Sequence, residues 1–191
     1  MICNITTDIY KNIKVKSNII GLDTNILYWV FYDKCTFSNS YQKDCYPNFF
    51  KKLLEGKNQF VVSTLSINEL MSNIEKNEWK IYCAENNLTT DEFNLKKYRG
   101  LVDEKKNVKN TLNTIYEQIS AIVKICDTSV NKVIIDNYIE NFDKSSLDIN
   151  DYIIIKCFEN NDVDYIFTDD SDFKCCGEQF NILTANNKLI I

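Results

Sequence analysis

The sequence predicts an α/β fold in which a mostly parallel sheet is covered by helices on both faces. Three observations predict it. Short apolar runs at 19–22, 60–62, 164–168 and 180–183 have the length and composition of buried strands. Stretches with helical periodicity separate them, and strands separated by helices pair in parallel. Gly (4) and Pro (1) are scarce in the 191 residues, so few positions break a helix.

In order, Ile19-Ile20-Gly21-Leu22 is a strand that ends in Asp23, and residues 25–32 follow as a mostly apolar helix. Pro47 suits a first helical turn and Gly56 a helix end, so a second helix is expected over 47–55. Phe60-Val61-Val62 is the next strand. Ser66-Ile67-Asn68-Glu69 opens a helix with apolar positions at Ile67, Leu70, Ile74 and Ile81. Thr89 and Glu92 have capping-box spacing. Val108, Leu112, Ile115, Ile119, Ile122 and Cys126 alternate by four and three residues, a heptad-like stripe. We read about 78–129 as a helical insertion packed on the rest of the domain. Another amphipathic helix is expected over 130–142. Asp148-Ile149-Asn150-Asp151 then leads into a helix reaching about Asn160. A strand at 164–168 ends in Asp169-Asp170-Ser171-Asp172-Phe173, and 180–183 closes the pattern. The whole is read as one domain over 1–191.

Composition excludes much chemistry. The chain has no His, which removes Ser-His and Cys-His catalysis and His metal ligands together. The eight Cys form no C-x-x-C pair, so a zinc-finger pattern is absent, and Cys157 falls in an apolar run that reads as core. Net charge is −5, which argues against bulk electrostatic binding of nucleic acid but leaves room for a local Lys face. No run approaches the ~20 apolar residues of a membrane span. Residues 1–18 carry no apolar signal core, so a cytoplasmic protein with no membrane partner is expected.

Each prominent acid has a structural reading. Asp23 can end a strand, and Glu69 can close a capping box with Ser66. Asp148 can be a helix N-cap and Asp151 a first-turn acid, while Asp169, Asp170 and Asp172 can form turns. The conjunction points further. Asp23 and Asp170 each end an apolar strand, and Glu69 and Asp151 each sit in the first turn of a helix that follows a loop. Strands that end in acids put those acids at the carboxyl edge of the sheet, where open α/β sheets bind ligands. Carboxylates ~5 Å apart repel by about 3 kcal/mol per pair at an effective dielectric of 20. Such a cluster calls for a cation, and oxygen ligands suit Mg²⁺ or Mn²⁺. Metal ions of this kind activate water and neutralise a leaving oxygen in phosphodiester hydrolysis.

The segments 20–25 (IGLDTN), 63–70 (STLSINEL), 151–154 (DYII) and 167–173 (FTDDSDF) resemble the PIN-domain family, in the family's order. The resemblance covers about 18–77 and 130–185. It implies a PIN-like three-layer α/β/α fold and a metal-dependent endoribonuclease using Mg²⁺ or Mn²⁺. It implies Asp23, Glu69, Asp151 and Asp170 as the catalytic and metal-holding quartet, with Asp172 as a further metal ligand. Asn25, Thr168 and Asp148 are supporting positions, and no organic cofactor is expected. It implies RNA as substrate and, in bacteria, often the VapC-type toxin of a toxin–antitoxin pair. A cognate antitoxin or other regulatory protein and a homodimer are the partners that follow. The chain departs from the compact toxin pattern in the stretch 78–129 and in the bulky helix after Asp151.

Two rivals remain. A haloacid-dehalogenase-type phosphatase needs a second acid two residues after its nucleophile, and Asn25 stands there. A catalytically inactive PIN-like scaffold that binds RNA or protein would have no reason to keep all four acids. An EF-hand reading of 169–172 fails on its glycine and terminal Glu spacing. Lys96, Lys97, Arg99, Lys105, Lys106 and Lys109 are candidate RNA contacts, with a solvated helix face as the plainer reading.

Overall fold

The computed structural model describes residues 6–9, 15–144 and 146–190. One sheet holds β1 (Thr6–Asp8), β2 (Ile19–Leu22), β3 (Gln59–Ser63), β4 (Lys124–Cys126), β5 (Tyr165–Phe167) and β6 (Asn181–Thr184). The spatial order is β1-β6-β5-β2-β3-β4. Every described pair is parallel, with Gly21 opposite both Val61 and Ile166. The helices are α1 (Thr24–Phe31), α2 (Ser40–Glu55), α3 (Thr64–Glu85), α4 (Leu95–Tyr98), α5 (Val102–Ile122), α6 (Lys132–Glu140) and α7 (Ile149–Glu159). Turns of 3₁₀ helix occupy Phe142–Lys144 and Ser171–Glu178.

Alternate residues of each strand face opposite sides of a sheet, and the two cores follow that period. Ile20, Leu22, Phe60, Val62, Phe167 and Leu183 join one core with α1, α2, α3 and α5. Val61, Ile166 and Ile182 join the other with α7 and the turn after β5. The result is the expected three-layer α/β/α arrangement. Gly21 is required by the second core: a Cβ there would stand 2.9 Å from the ring of Phe158. The bulk of α7 is thus accommodated by an absent side chain in β2.

Several elements differ from expectation. β1 is not announced by any apolar run. α2 begins at Ser40, because Gln42 Oε1 accepts from the amides of Ser38 and Asn39, both at 2.9 Å, and holds the helix start seven residues before Pro47. The proline sits inside α2, where it removes one backbone donor. α3 begins after Ser63, whose Oγ accepts from the Ser66 amide at 3.0 Å. Thr89 Oγ1 does donate to Glu92 at 2.7 Å, but a turn follows, and the short α4 is capped by Asn94 instead. The stripe on α5 holds through Val108, Ile115 and Ile119 and then breaks: Val123 is buried while Ile122 is exposed. Chain polarity explains it. Val123 leaves the helix in an extended conformation, and Lys124–Cys126 pairs with β3. The stretch read as a helical insertion therefore ends in a strand of the sheet. The helix expected over 130–142 spans Lys132–Glu140 and buries none of its residues, leaving Val133, Ile139 and, just beyond, Phe142 exposed.

Candidate active site

The parallel strands β2, β3 and β5 all end on one edge of the sheet, and the chain leaves each through a hydroxyl or acid. Asp23 directly follows β2, and its amide donates to the Phe167 carbonyl at 3.2 Å, which ties it to the end of β5. It occupies the N-cap position of α1, yet its side chain makes no capping bond to that helix. Instead Thr168 Oγ1 donates to Asp23 Oδ2 at 2.7 Å. The same oxygen of Thr168 accepts from the Asp170 amide at 2.9 Å. On the other side of Asp23, Thr24 Oγ1 donates to Glu69 Oε2 at 2.8 Å. Two threonines thus link Glu69, Asp23 and Asp170 through consecutive contacts.

Glu69 belongs to the second turn of α3, since Ser63 is the cap. Its side chain is directed to Thr24, so the capping-box reading with Ser66 fails. Asp148 caps α7 as expected: its Oδ1 accepts from the amides of Asn150 and Asp151, at 2.7 and 2.9 Å. That cap orients the first turn of α7 and places the Asp151 carboxyl beside the others. Asp170 also has a turn role, accepting from the Asp172 amide at 2.9 Å.

The electrostatics show that the acids share one neighbourhood. Burial pushes the Asp23 carboxyl up to about 7, the hydrogen bond from Thr168 opposes this, and the charges of Asp170 and Glu69 push further. Burial likewise raises Asp151 to about 8, reinforced by Asp148, Asp23, Asp170 and Glu69 in that order. Among the described residues none of the four acids is in an ion pair; the recorded pairs are Lys34–Glu78, Arg99–Glu75, Lys132–Asp136 and Lys156–Glu159. A hard divalent cation is the charge this donor set lacks. Among the described residues no group of three or more Asp, Glu or Cys side chains is placed so as to hold a metal ion together. Mg²⁺ does not require one, because it binds through one or two carboxylates and keeps several waters. The residues present fit it.

Two of the expected site residues stand apart. Asp172 is exposed in the turn that Asp170 caps, outside the linked set. Asn25 is half-buried and turned into a polar groove between α1 and α3, where it has no recorded hydrogen bond to the acids. Thr24, one residue earlier and the first residue of α1, makes the contact to Glu69. Asp169 is not a turn acid but buried, with its carboxylate accepting from Tyr41 at 2.9 Å, Gln42 at 2.7 Å and the Tyr46 hydroxyl. It anchors α2 to the end of β5. Cys157 is core, as expected, and the sulfurs of Cys175 and Cys176 lie 3.9 Å apart. Arg99 is engaged with Glu75 at 2.7 Å and Lys97 with the Glu92 carbonyl at 2.7 Å, which favours the solvated-face reading for those two.

An all-parallel α/β sheet with Asp23 and Asp170 just past the ends of neighbouring strands gathers acids at its carboxyl edge, where open α/β folds bind ligands. The family is specific: the PIN domain model matches residues 20–177, and the chain belongs to the PIN domain family. PIN domains are generally nucleases, and those nucleases typically use divalent metal ions. The fold is also similar to a chain in the crystal structure of VapBC2 from Rickettsia felis bound to a DNA fragment from their promoter. That likeness covers 87% of this chain and 98% of the other at 15% identity, with a TM-score of 0.51. No curated protein sequence matches the chain. Among the described residues no helix is long and apolar enough to cross a membrane.

Proposed function

We propose that this protein is a metal-dependent endoribonuclease that hydrolyses RNA phosphodiester bonds through Asp23, Glu69, Asp151 and Asp170. The observation that carries this reading is the convergence of those four acids without a cationic side chain, two of them held up to about 7 and about 8. Mg²⁺ or Mn²⁺, when bound, would supply charge neutralisation and an activated water. Asp23 and Asp151 would hold the ion most directly, being the deeper and more perturbed pair. Their carboxyls must lose the proton to ligate, so binding releases protons and strengthens as pH rises toward 8. Glu69 and Asp170 flank them. Thr24 and Thr168 each hold a carboxylate oxygen in place and leave the other oxygen for the metal or its waters. Asp148 holds the start of α7 and so the position of Asp151. Asp172 is left out of the ligand set, and Asn25 out of the contacts that support it.

The toxin of a toxin–antitoxin pair is the biological role we propose, acting in the cytoplasm. It is supported by family membership and by the likeness to VapBC2. A cognate antitoxin or another regulatory protein is the partner this role requires. A homodimer is proposed through α6, supported by its exposed Val133 and Ile139 and by Lys132 and Glu140 at its two ends, which an antiparallel copy would bring together.

The test is cleavage of a mixed-sequence RNA by purified protein in EDTA and then in Mn²⁺. The proposal expects cleavage only with the metal, and loss of it in Asp151→Asn. Equal cleavage in both conditions would rule out the metal mechanism. A folded protein that cleaves no RNA would leave the binding scaffold.

A further inference from the structure

Beside the acids, a polar groove of about 240 Å³ runs between α1 and α3. Its wall from α3 continues the stripe that Glu69 begins. Asn73, Lys76 and Lys80 lie four, seven and eleven residues on, the spacing of one helical face. At 1.5 Å per residue they stand roughly 6, 10 and 16 Å from Glu69 along the axis. The wall from α1 carries Asn25, Tyr28 and Trp29, starting two residues from Asp23. The groove's own lining carries two ammonium groups and no carboxylate, and on the α3 face the charge changes sign from Glu69 to Lys76 and Lys80. Lys76 and Lys80 are exposed and, among the described residues, are in no ion pair. The indole of Trp29 is half-buried and held by Tyr46 and Phe37, at ring separations of 5.1 and 6.3 Å, so its orientation is fixed. Among the described residues the side-chain amides of Asn25 and Asn73 make no hydrogen bond.

We infer that this groove is a strand-binding subsite for single-stranded RNA, resting on the nuclease reading of the acids beside it. A nucleotide chain whose scissile phosphate sits at the acids lays its neighbouring phosphates along Lys76 and Lys80. A base stacks against the aromatic wall of Trp29 and Tyr28. The amides of Asn25 and Asn73 meet base edges or ribose hydroxyls, since each offers both a donor and an acceptor. Cationic tracking plus aromatic stacking is the general chemistry of single-strand binding. It also accounts for how a chain of net charge −5 engages a polyanion: the attraction is local. The groove gives a role to Asn25 that the acids do not.

The probe is a short, mixed-sequence, single-stranded RNA. Trp79→Phe leaves Trp29 as the sole indole, so its fluorescence reports this groove. RNA is expected to quench it. Lys76→Gln with Lys80→Gln should flatten the slope of log affinity against log salt by about 1.4, from roughly 0.7 per phosphate contact. Near 0.1 M salt that is on the order of 20-fold weaker binding. With Mn²⁺ the double variant should raise KM and leave kcat little changed. RNA bound and cleaved with Trp29 silent and an unchanged salt slope would overturn the subsite while leaving the nuclease. Quenching and the flatter slope without any cleavage would keep the subsite and remove the nuclease. Quenching by polyglutamate and none by RNA would assign the groove to an acidic protein and overturn the inference.

Discussion

Asp23→Asn separates a catalytic carboxylate from a structural one by its pH dependence. An aspartate ordinarily near 3.8 is held up to about 7 at Asp23. At about 1.36 kcal/mol per unit, ionising it inside the fold costs roughly 4 kcal/mol. Because the folded pKa is raised, the folded state holds the proton that the unfolded state has already lost. The group's contribution is therefore fully present below about 4, declines as pH rises, and is lost above about 7. Asp151, raised to about 8, extends the decline in the same direction. Asparagine keeps an acceptor for Thr168 Oγ1 but carries no charge at any pH. In EDTA the variant should match wild type within about 1 kcal/mol in the acidic limit, where Asp23 is neutral in both states. Above pH 8 it should be more stable by about 2–4 kcal/mol, the full value being reduced by Asp151 titrating alongside and by the new amide needing a partner. For a chain of this length that is roughly 4–16 °C in Tm. The assay is a set of melting curves for both proteins from pH 4.5 to 9. Parallel curves across that range would refute the buried-cluster account, and so would a variant that melts lower at high pH.

Asp170→Asn should abolish cleavage while remaining as stable as wild type in EDTA, because asparagine also caps the turn through the Asp172 amide; a drop in Tm of more than about 1 kcal/mol equivalent would contradict this. Thr168→Val removes the donor to Asp23 and the acceptor for the Asp170 amide, so it should cost about 1–3 kcal/mol and lower kcat, measured by denaturant unfolding and RNA cleavage. Gly21→Ala drives a methyl into the Phe158 ring and should cost about 1–3 kcal/mol; Phe158→Leu in the same chain should recover part of it. Asp172→Asn, in contrast, should leave cleavage near wild type, and a loss as large as that of Asp170→Asn would return Asp172 to the ligand set.

The strands of the sheet centre were legible because each is buried on both faces and reads as an apolar run. The edge strands were not. β4 is three residues of Lys-Ile-Cys, half exposed, and it continues the helical stripe of α5 without a break in composition. The position of α2 was missed because Pro47 suggests a helix start, whereas the side chain of Gln42, which fixes that start, gives a weaker signal. The acids of the proposed site stand out in the sequence by their place after strands and near helix starts, although Glu69 lies in the second turn of α3 rather than the first. What joins them was only half readable. Thr168 stands in a recognisable segment, but Thr24 is one residue from a better-known position and is found only by the direction of its side chain. Asp169 and Asp170 are neighbours in sequence with opposite surroundings, one tied to Tyr41, Gln42 and Tyr46 and the other facing the cleft. Backbone alternation decides between them, and the composition does not.

The central claim is that Asp23 and Asp151 belong to one divalent-cation site. Titration of Mn²⁺ into wild type, Asp23→Asn and Asp151→Asn at pH 7.5, followed by calorimetry in two buffers of different ionisation enthalpy, tests it most directly. The account predicts saturable binding with proton release by wild type, since carboxyls held up to about 7 and about 8 must deprotonate to ligate. It predicts affinity reduced by at least tenfold in both variants, with less proton release. Binding of equal strength in all three proteins, with no protons released, would contradict it.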